Sequence, residues 1–124
     1  MIPAGGGRII NTTSRAGLRG FPAGEPNYSA AKAGVVGLSL ALAYELLSHR
    51  ITVNCVSPVA WTRTAEALPE EERRRSWEVR SKGVLGRPGM PDDVAQTYIF
   101  LASDRAGYLT GQVLEATGEP IHLL

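Results

Sequence analysis

The sequence has 124 residues, with thirteen Lys and Arg against twelve Asp and Glu and a formal net charge of +1. This length fits one domain with a core of its own, and so small a charge predicts neither nucleic acid nor an anionic membrane as a partner. The apolar tracts are too short and mixed to span a bilayer, and a single cysteine without a secretory signal at the start favours a cytoplasmic protein.

The first predicted element is a buried strand over residues 8–13, a β-branched run that follows three glycines. Residues 14–26 are rich in Gly, Pro and Arg and predict an irregular loop, long enough to be functional. A long helix over residues 28–50 follows, because this segment is rich in Ala and Leu and ends on basic residues.

The second half of the chain begins with a continuous apolar strand over residues 51–57, which is typical of a parallel sheet covered on both faces. Residues 60–89 are charged, and three Glu placed three positions before three Arg indicate the solvated face of a helix. Trp61 and Trp77 flank that region as packing residues or, alternatively, as part of a flap over a substrate.

The last predicted elements are a helix over residues 91–103 and a strand over residues 112–116. The proline and the two aspartates at the start of the helix favour its N-terminus. Alternating strands and helices predict an α/β fold, a Rossmann-like parallel sheet flanked by helices. With about three strands and an uncovered first edge, we expect residues 1–124 to form a single, partial and truncated domain of this kind.

Three side chains form the candidate catalytic group. Tyr28 and Lys32 are four residues apart on the predicted helix and therefore share one of its faces. An ammonium group near a phenol favours the ionised form of the phenol, which makes general acid/base catalysis possible. Ser14 ends the first predicted strand at the carboxyl edge of the sheet, where ligands of such folds bind.

Four segments carry a family resemblance. They are SRAG at 14–17, YSAAKAG at 28–34, ITVNCVSP at 51–58 and LTGQVLEATG at 109–118. Together, in this order and spacing, they resemble the short-chain dehydrogenase/reductase family. The resemblance implies NAD(P)-dependent hydride transfer between a nicotinamide and a small alcohol or ketone substrate.

The resemblance also implies a role for each residue. Tyr28 is the acid/base, Lys32 assists it and binds the nicotinamide ribose, and Ser14 orients the substrate carbonyl. The segment after the second strand lies on the cofactor side, with the candidate residues Pro58, Val59, Ala60 and Thr62. Val59 stands where the family usually has Gly, and the spacing leaves either Thr62 or Thr64 as the threonine of this segment.

The glycine-rich turn that holds the pyrophosphate in the family has no counterpart, because the glycine cluster at 5–7 precedes a strand instead of opening a helix. The choice between NAD and NADP therefore cannot be read from the sequence. Two alternatives follow: an enzyme whose sequence is truncated or whose start lies late, or an inactive remnant acting as an interaction module. The helix over residues 28–48, apolar nearly all round, predicts a homo-oligomer in either case.

Other chemistries lack the necessary residues. A hydrolase with Ser14 as nucleophile would need His49 or His122 as its base, and neither lies near Ser14 in the sequence. The histidines and Cys55 are scattered without the spacing of metal ligands, so no metal site is predicted.

Overall fold

The computed structural model describes residues 1–20 and 25–120. In chain order its strands and longer helices are β1 (Gly7–Thr12), α1 (Arg15–Arg19), α2 (Pro26–Glu45), β2 (Ile51–Pro58), α3 (Arg63–Glu66), α4 (Glu70–Arg80), α5 (Pro91–Ala102) and β3 (Val113–Ala116). Single turns of 3₁₀ helix are formed by Ile2–Ala4, Leu47–His49 and Asp104–Ala106.

The strands form one parallel sheet in the order β1-β2-β3. The central strand β2 is buried from Ile51 to Ser57, which explains why its sequence is apolar without alternation. Helices flank this sheet, so the predicted Rossmann-like α/β arrangement is confirmed. All three strands end at the same edge, which positions the residues that follow them for a common site.

The core lies on both faces of β2, because neighbouring strand residues point to opposite sides. On one face Ile51 and Val53 pack against Ala43 of α2. On the other face Val56 packs with Leu101 of α5 and with Ala106.

The buried Asn54 connects β2 to the segment that leads into β3. Its side-chain amide donates to the carbonyl of Leu109 at 2.9 Å, and its side-chain oxygen accepts the N–H of Gln112 at 3.0 Å. Both polar ends of this buried side chain are therefore satisfied, as burial requires.

The loop predicted over residues 14–26 is wrong in part, because Arg15–Arg19 form the short helix α1. Ser14 caps this helix, since its Oγ accepts the N–H of Ala16 at 3.2 Å. Gly20 then ends α1 with a φ of 74°, a conformation that suits glycine. The rest of the predicted loop, residues 21–24, lies outside the described residues.

The long helix is confirmed, but its ends differ from the prediction. It begins two residues earlier, at Pro26, where proline at the first helical position needs no hydrogen-bond acceptor. It ends at Glu45, and Arg50, with a φ of 58°, redirects the chain into β2. In this chain the sheet buries only Ser39 and Ala43 of α2 fully.

The remaining elements follow the prediction closely. The last helix ends one residue before the predicted position, and β3 begins one residue after it. In α4, Arg74 pairs with Glu71 and Glu78 on an exposed surface, which confirms the solvated helix face. Among the described residues, no helix combines the length and apolar content that crossing a bilayer requires.

Candidate active site

The three candidate catalytic residues lie near the carboxyl edge of the sheet. Ser14 follows β1 by two residues and caps α1, while Tyr28 and Lys32 lie in the first turns of α2. The Lys32 amine donates to the carbonyl of Thr12, the last residue of β1, at 3.1 Å. This bond ties the start of α2 to the end of the strand that leads to Ser14.

Tyr28 and Lys32 are also neighbours. The Lys32 amine lies 5.8 Å from the centroid of the Tyr28 ring, as expected for residues one helical turn apart. The Tyr28 side chain is exposed to solvent in this chain.

Ser14 and Tyr28 line the same cleft, which has a volume of about 430 Å³. The other lining residues are Arg15, Ala16, Glu25, Val59, Val79, Arg80 and Glu119. Lys32, one helical turn after Tyr28 on α2, does not line this cleft. The structure therefore brings the hydroxyl and the phenol to one cavity and places the amine beside the phenol.

Two residues that sequence reasoning missed hold α1 against α2. The Thr13 hydroxyl donates to the carbonyl of Lys32 at 2.8 Å. Gly17 lies so close to α2 that a Cβ atom there would stand 2.5 Å from the carbonyl carbon of Lys32. Thr13 and Gly17 fall within or beside the quoted SRAG motif, but only the packing of two helices gives them their role.

The predicted cofactor-side segment has a mixed placement. Pro58 ends β2, and the N–H of Val59 donates to the carbonyl of Ala116 at 3.0 Å, which holds the segment against the end of β3. Val59 lines the cleft, and the carbonyl of Ala60 accepts a hydrogen bond from Arg80 at 3.2 Å.

The two candidate threonines are both exposed. Thr62 occupies the N-cap position of α3 without a side-chain hydrogen bond to that helix, and Thr64 lies inside α3.

A network of charges lies next to the cleft. The Glu115 carboxylate accepts hydrogen bonds from Arg15, at 3.3 Å, and from Arg19. Arg15 also donates to Glu119 at 2.7 Å. The network joins α1 to β3 and to the residues after it, and thereby fixes the helix that begins at Ser14.

In the part of the chain that the structure describes, no cluster of His, Cys, Asp and Glu has the geometry of a metal site. His49 lies exposed in a 3₁₀ turn, far along the chain from Ser14. His122, the other histidine weighed as a base, lies outside the described residues.

Comparison with known proteins identifies the family. A family model described as enoyl-(acyl carrier protein) reductase matches residues 1–118. The chain belongs to the short-chain dehydrogenase/reductase family. Members of this family are oxidoreductases, and the predicted resemblance is confirmed.

Several curated relatives are more than 40% identical to this family member over the residues that align. The chain is 46% identical to the 3-oxoacyl-(acyl-carrier-protein) reductase FabG of Chlamydia trachomatis, over 95% of the chain and 46% of that reductase. It is 49% identical to the hydroxy(phenyl)methylsuccinyl-CoA dehydrogenase subunit BbsD of Thauera aromatica, over 90% of the chain and 44% of that subunit. The FabG of Thermotoga maritima is 44% identical over 95% of the chain and 47% of the relative. The chain thus spans about half the length of these relatives.

Proposed function

We propose that this short-chain dehydrogenase/reductase chain carries the catalytic residues of an NAD(P)-dependent oxidoreductase that interconverts an alcohol and a ketone. The observation that carries the proposal is the cleft lined by Ser14 and Tyr28, with the Lys32 amine 5.8 Å from the Tyr28 ring. A hydroxyl, a phenol and an ammonium group so arranged supply the hydrogen-bond donor, the acid/base and the positive charge that carbonyl reduction needs.

Ser14 orients the substrate carbonyl. Its Oγ lone pair accepts the N–H of Ala16, so its own O–H remains able to donate to the carbonyl oxygen. Tyr28 delivers a proton to that oxygen when the carbonyl is reduced and removes it when the alcohol is oxidised. The charge of Lys32 stabilises the phenolate that remains after the proton has left.

The donor set at Lys32 fits a nicotinamide ribose. An ammonium group has three donors, and the Thr12 carbonyl accepts from one of them, which leaves others for sugar hydroxyls. Pro58, Val59, Ala60 and Thr62 or Thr64 are the proposed contacts on the nicotinamide side. The bound dinucleotide, NAD or NADP, supplies or accepts the hydride.

The names of the relatives indicate a class of substrate. They refer to a 3-oxoacyl group on acyl carrier protein and to a substituted succinyl-CoA. A small acyl thioester with a carbonyl or hydroxyl group therefore belongs in the substrate panel beside simple ketones and alcohols. We also propose a cytoplasmic protein, in keeping with Cys55, which is buried and free.

The test combines cofactor binding with turnover. NADH and NADPH are titrated while nicotinamide fluorescence is recorded, and acetoacetyl-CoA and a ketone panel are then assayed. We expect Tyr28→Phe to lower kcat at least hundredfold, because the phenol oxygen that exchanges the proton is gone. Tyr108→Phe is the matched control, since Tyr108 is fully exposed and does not line the cleft.

Two outcomes of this test would contradict the proposal. Equal turnover by native and Tyr28→Phe protein would overturn the role of Tyr28. No cofactor binding and no turnover by the native chain would favour the alternative, an inactive chain that serves as an interaction module.

We further propose that the chain forms a homo-oligomer through α2. Leu38, Leu40 and Tyr44 of this helix and Leu47 just after it are exposed in the single chain. Exposed apolar residues in such a cluster are typical of interaction surfaces.

A further inference from the structure

Arg80 occupies a distinctive position at the cleft. It is the last residue of α4 and lines the cleft that Ser14 and Tyr28 line. It also lines a second cavity of about 370 Å³, and both cavities share Val59 and Glu119 as lining residues. Arg80 therefore lies where the two cavities adjoin.

The charge of Arg80 has no carboxylate partner among residues 1–20 and 25–120, whose ion pairs all involve other arginines. Arg8 and Arg15 are half-buried as Arg80 is, and each of them pairs with a carboxylate. Within the part of the chain that the structure describes, the Arg80 side chain donates one hydrogen bond, to the carbonyl of Ala60. A guanidinium has five N–H donors, so most of those on Arg80 remain for a ligand.

Neither carboxylate of the cleft pairs with the charge of Arg80. Glu119 already pairs with Arg15 at 2.7 Å. Glu25 is exposed at the start of α2, where water and salt screen it. The Arg80 guanidinium is planar and keeps free N–H donors. It can therefore donate two parallel hydrogen bonds to the two oxygens of a carboxylate.

We infer that Arg80 binds a carboxylate of the substrate, so that this site takes oxo or hydroxy acids in preference to their neutral counterparts. The carbonyl or carbinol lies between Ser14 and Tyr28, and the carboxylate lies at Arg80 of α4, which lines the same cleft. The apolar residues Val84, Leu85 and Val94 of the second cavity accommodate further carbon atoms of such a substrate. The inference rests on the proposed function, because it places the reacting group by Ser14 and Tyr28.

The test separates binding from turnover. 3-Oxobutanoate and 5-oxohexanoate, each beside its methyl ester, are titrated into the full chain while tryptophan emission is recorded, because Trp77 lies three residues before Arg80 on α4. We expect at least one acid to bind at least about tenfold more tightly than its ester, because the carboxylate accepts charge-assisted hydrogen bonds from Arg80. Arg80→Leu should abolish this preference, and Arg80→Lys should keep part of it.

The control is Arg75→Leu, which removes an exposed arginine of the same helix that lines neither cavity. Equal binding of acid and ester by the native chain, or a preference that survives in Arg80→Leu, would overturn the inference. Circular dichroism of each variant shows whether it retains the native helix content, and Arg80→Lys stands in if Arg80→Leu does not.

Turnover with NADH and NADPH is measured in parallel and reports on the proposed function. Ester reduction without a preference for acids contradicts the role of Arg80 and leaves the oxidoreductase proposal standing. If acids bind in a way that depends on Arg80 but no turnover occurs, the role of Arg80 is supported and the oxidoreductase proposal is contradicted.

Discussion

Glu115 is a buried carboxylate whose only bonding partners in the described residues are two arginines. Its side chain is 7% exposed, whereas those of Arg15 and Arg19 are 27% and 29% exposed. Glu115→Gln keeps the size of the side chain but leaves Arg19 without its carboxylate partner and Arg15 paired with Glu119 alone. We expect the free energy of unfolding to fall by about 1–3 kcal/mol, because a buried charge partner is lost.

Urea denaturation of native and Glu115→Gln protein at pH 7 measures this loss. Glu71→Gln is the matched control, since the ion pair of Glu71 with Arg74 is exposed and water screens it. A loss from Glu115→Gln no larger than that from Glu71→Gln would show that the network does not stabilise the chain.

Asp93 at the start of α5 titrates unusually. Hydrogen bonds from Arg87 and from the N–H of Met90 lower the pKa of Asp93 to about 2. Because the folded-state pKa is lower than the unfolded value of about 3.9, the carboxylate stabilises the fold above pH ~4 and loses this effect as the pH falls towards 2. We therefore expect Asp93→Asn to be less stable than native protein at pH 6, with a difference that shrinks between pH 4 and pH 2.

Urea titrations at several pH values check this expectation. Asp92→Asn alters the neighbouring exposed carboxylate, which forms no ion pair within the described residues, and is the matched control, for which we expect the smaller loss of stability at pH 6. A difference between native and Asp93→Asn protein that stays constant down to pH 2 would contradict it.

Among the elements, α1 and α2 together form the site, and Gly17 sets their separation. An ideal Cβ at Gly17 would lie 2.5 Å from the Lys32 carbonyl carbon and 2.6 Å from the Ala33 nitrogen. These are backbone atoms, so Gly17→Ala must push α1 away from α2. We expect about 1–3 kcal/mol of destabilisation and a roughly hundredfold lower kcat, because Ser14 moves relative to Tyr28.

Gly34→Ala is the control for this change. A Cβ at Gly34, also on α2, meets no atom within 4 Å, and alanine favours a helix over glycine. This variant should be as stable as the native chain or slightly more stable. Native kcat in Gly17→Ala would show that the close approach of α1 to α2 is not needed for catalysis.

The elements that could be predicted from the sequence are those with a long, regular pattern. Strand β2 and helices α2 and α5 have enough periodic or apolar residues to be recognised alone. Helix α1 has only five residues, and its cap at Ser14 was the one local signal for it.

The residues of the candidate site also differ in whether the sequence predicts them. Tyr28 and Lys32 could be paired from their spacing, because both lie on one helix. The contacts of Glu115 with Arg15 and the place of Arg80 at the cleft could not, since they join residues far apart in the chain. Arg80 ends a helix whose charges otherwise face solvent, so the pattern gave no reason to single it out.

At the scale of the whole molecule, both the sheet and α2 offer surfaces for association. Within the described residues β1 pairs only with β2, which leaves its other edge available to another strand. Leu40 and Tyr44 lie one turn apart on α2, and with Leu47 in the 3₁₀ turn that follows they form an exposed apolar stripe. The proposed homo-oligomer uses this stripe, because a second copy of the chain would remove its apolar side chains from water.

Sedimentation velocity at micromolar concentration tests the stripe. We expect the native chain to sediment as an oligomer and Tyr44→Glu to sediment as a monomer, because a charge in an apolar contact must be desolvated without a partner. The Tyr44 side chain is 79% exposed in the single chain, so this change should leave the monomer folded.

Val84→Glu, at an equally exposed apolar residue away from α2, should keep the native oligomer. A monomeric native chain would contradict the proposed homo-oligomer, and an oligomer that persists in Tyr44→Glu would move the contact to another surface, with the open edge of β1 next to be tested.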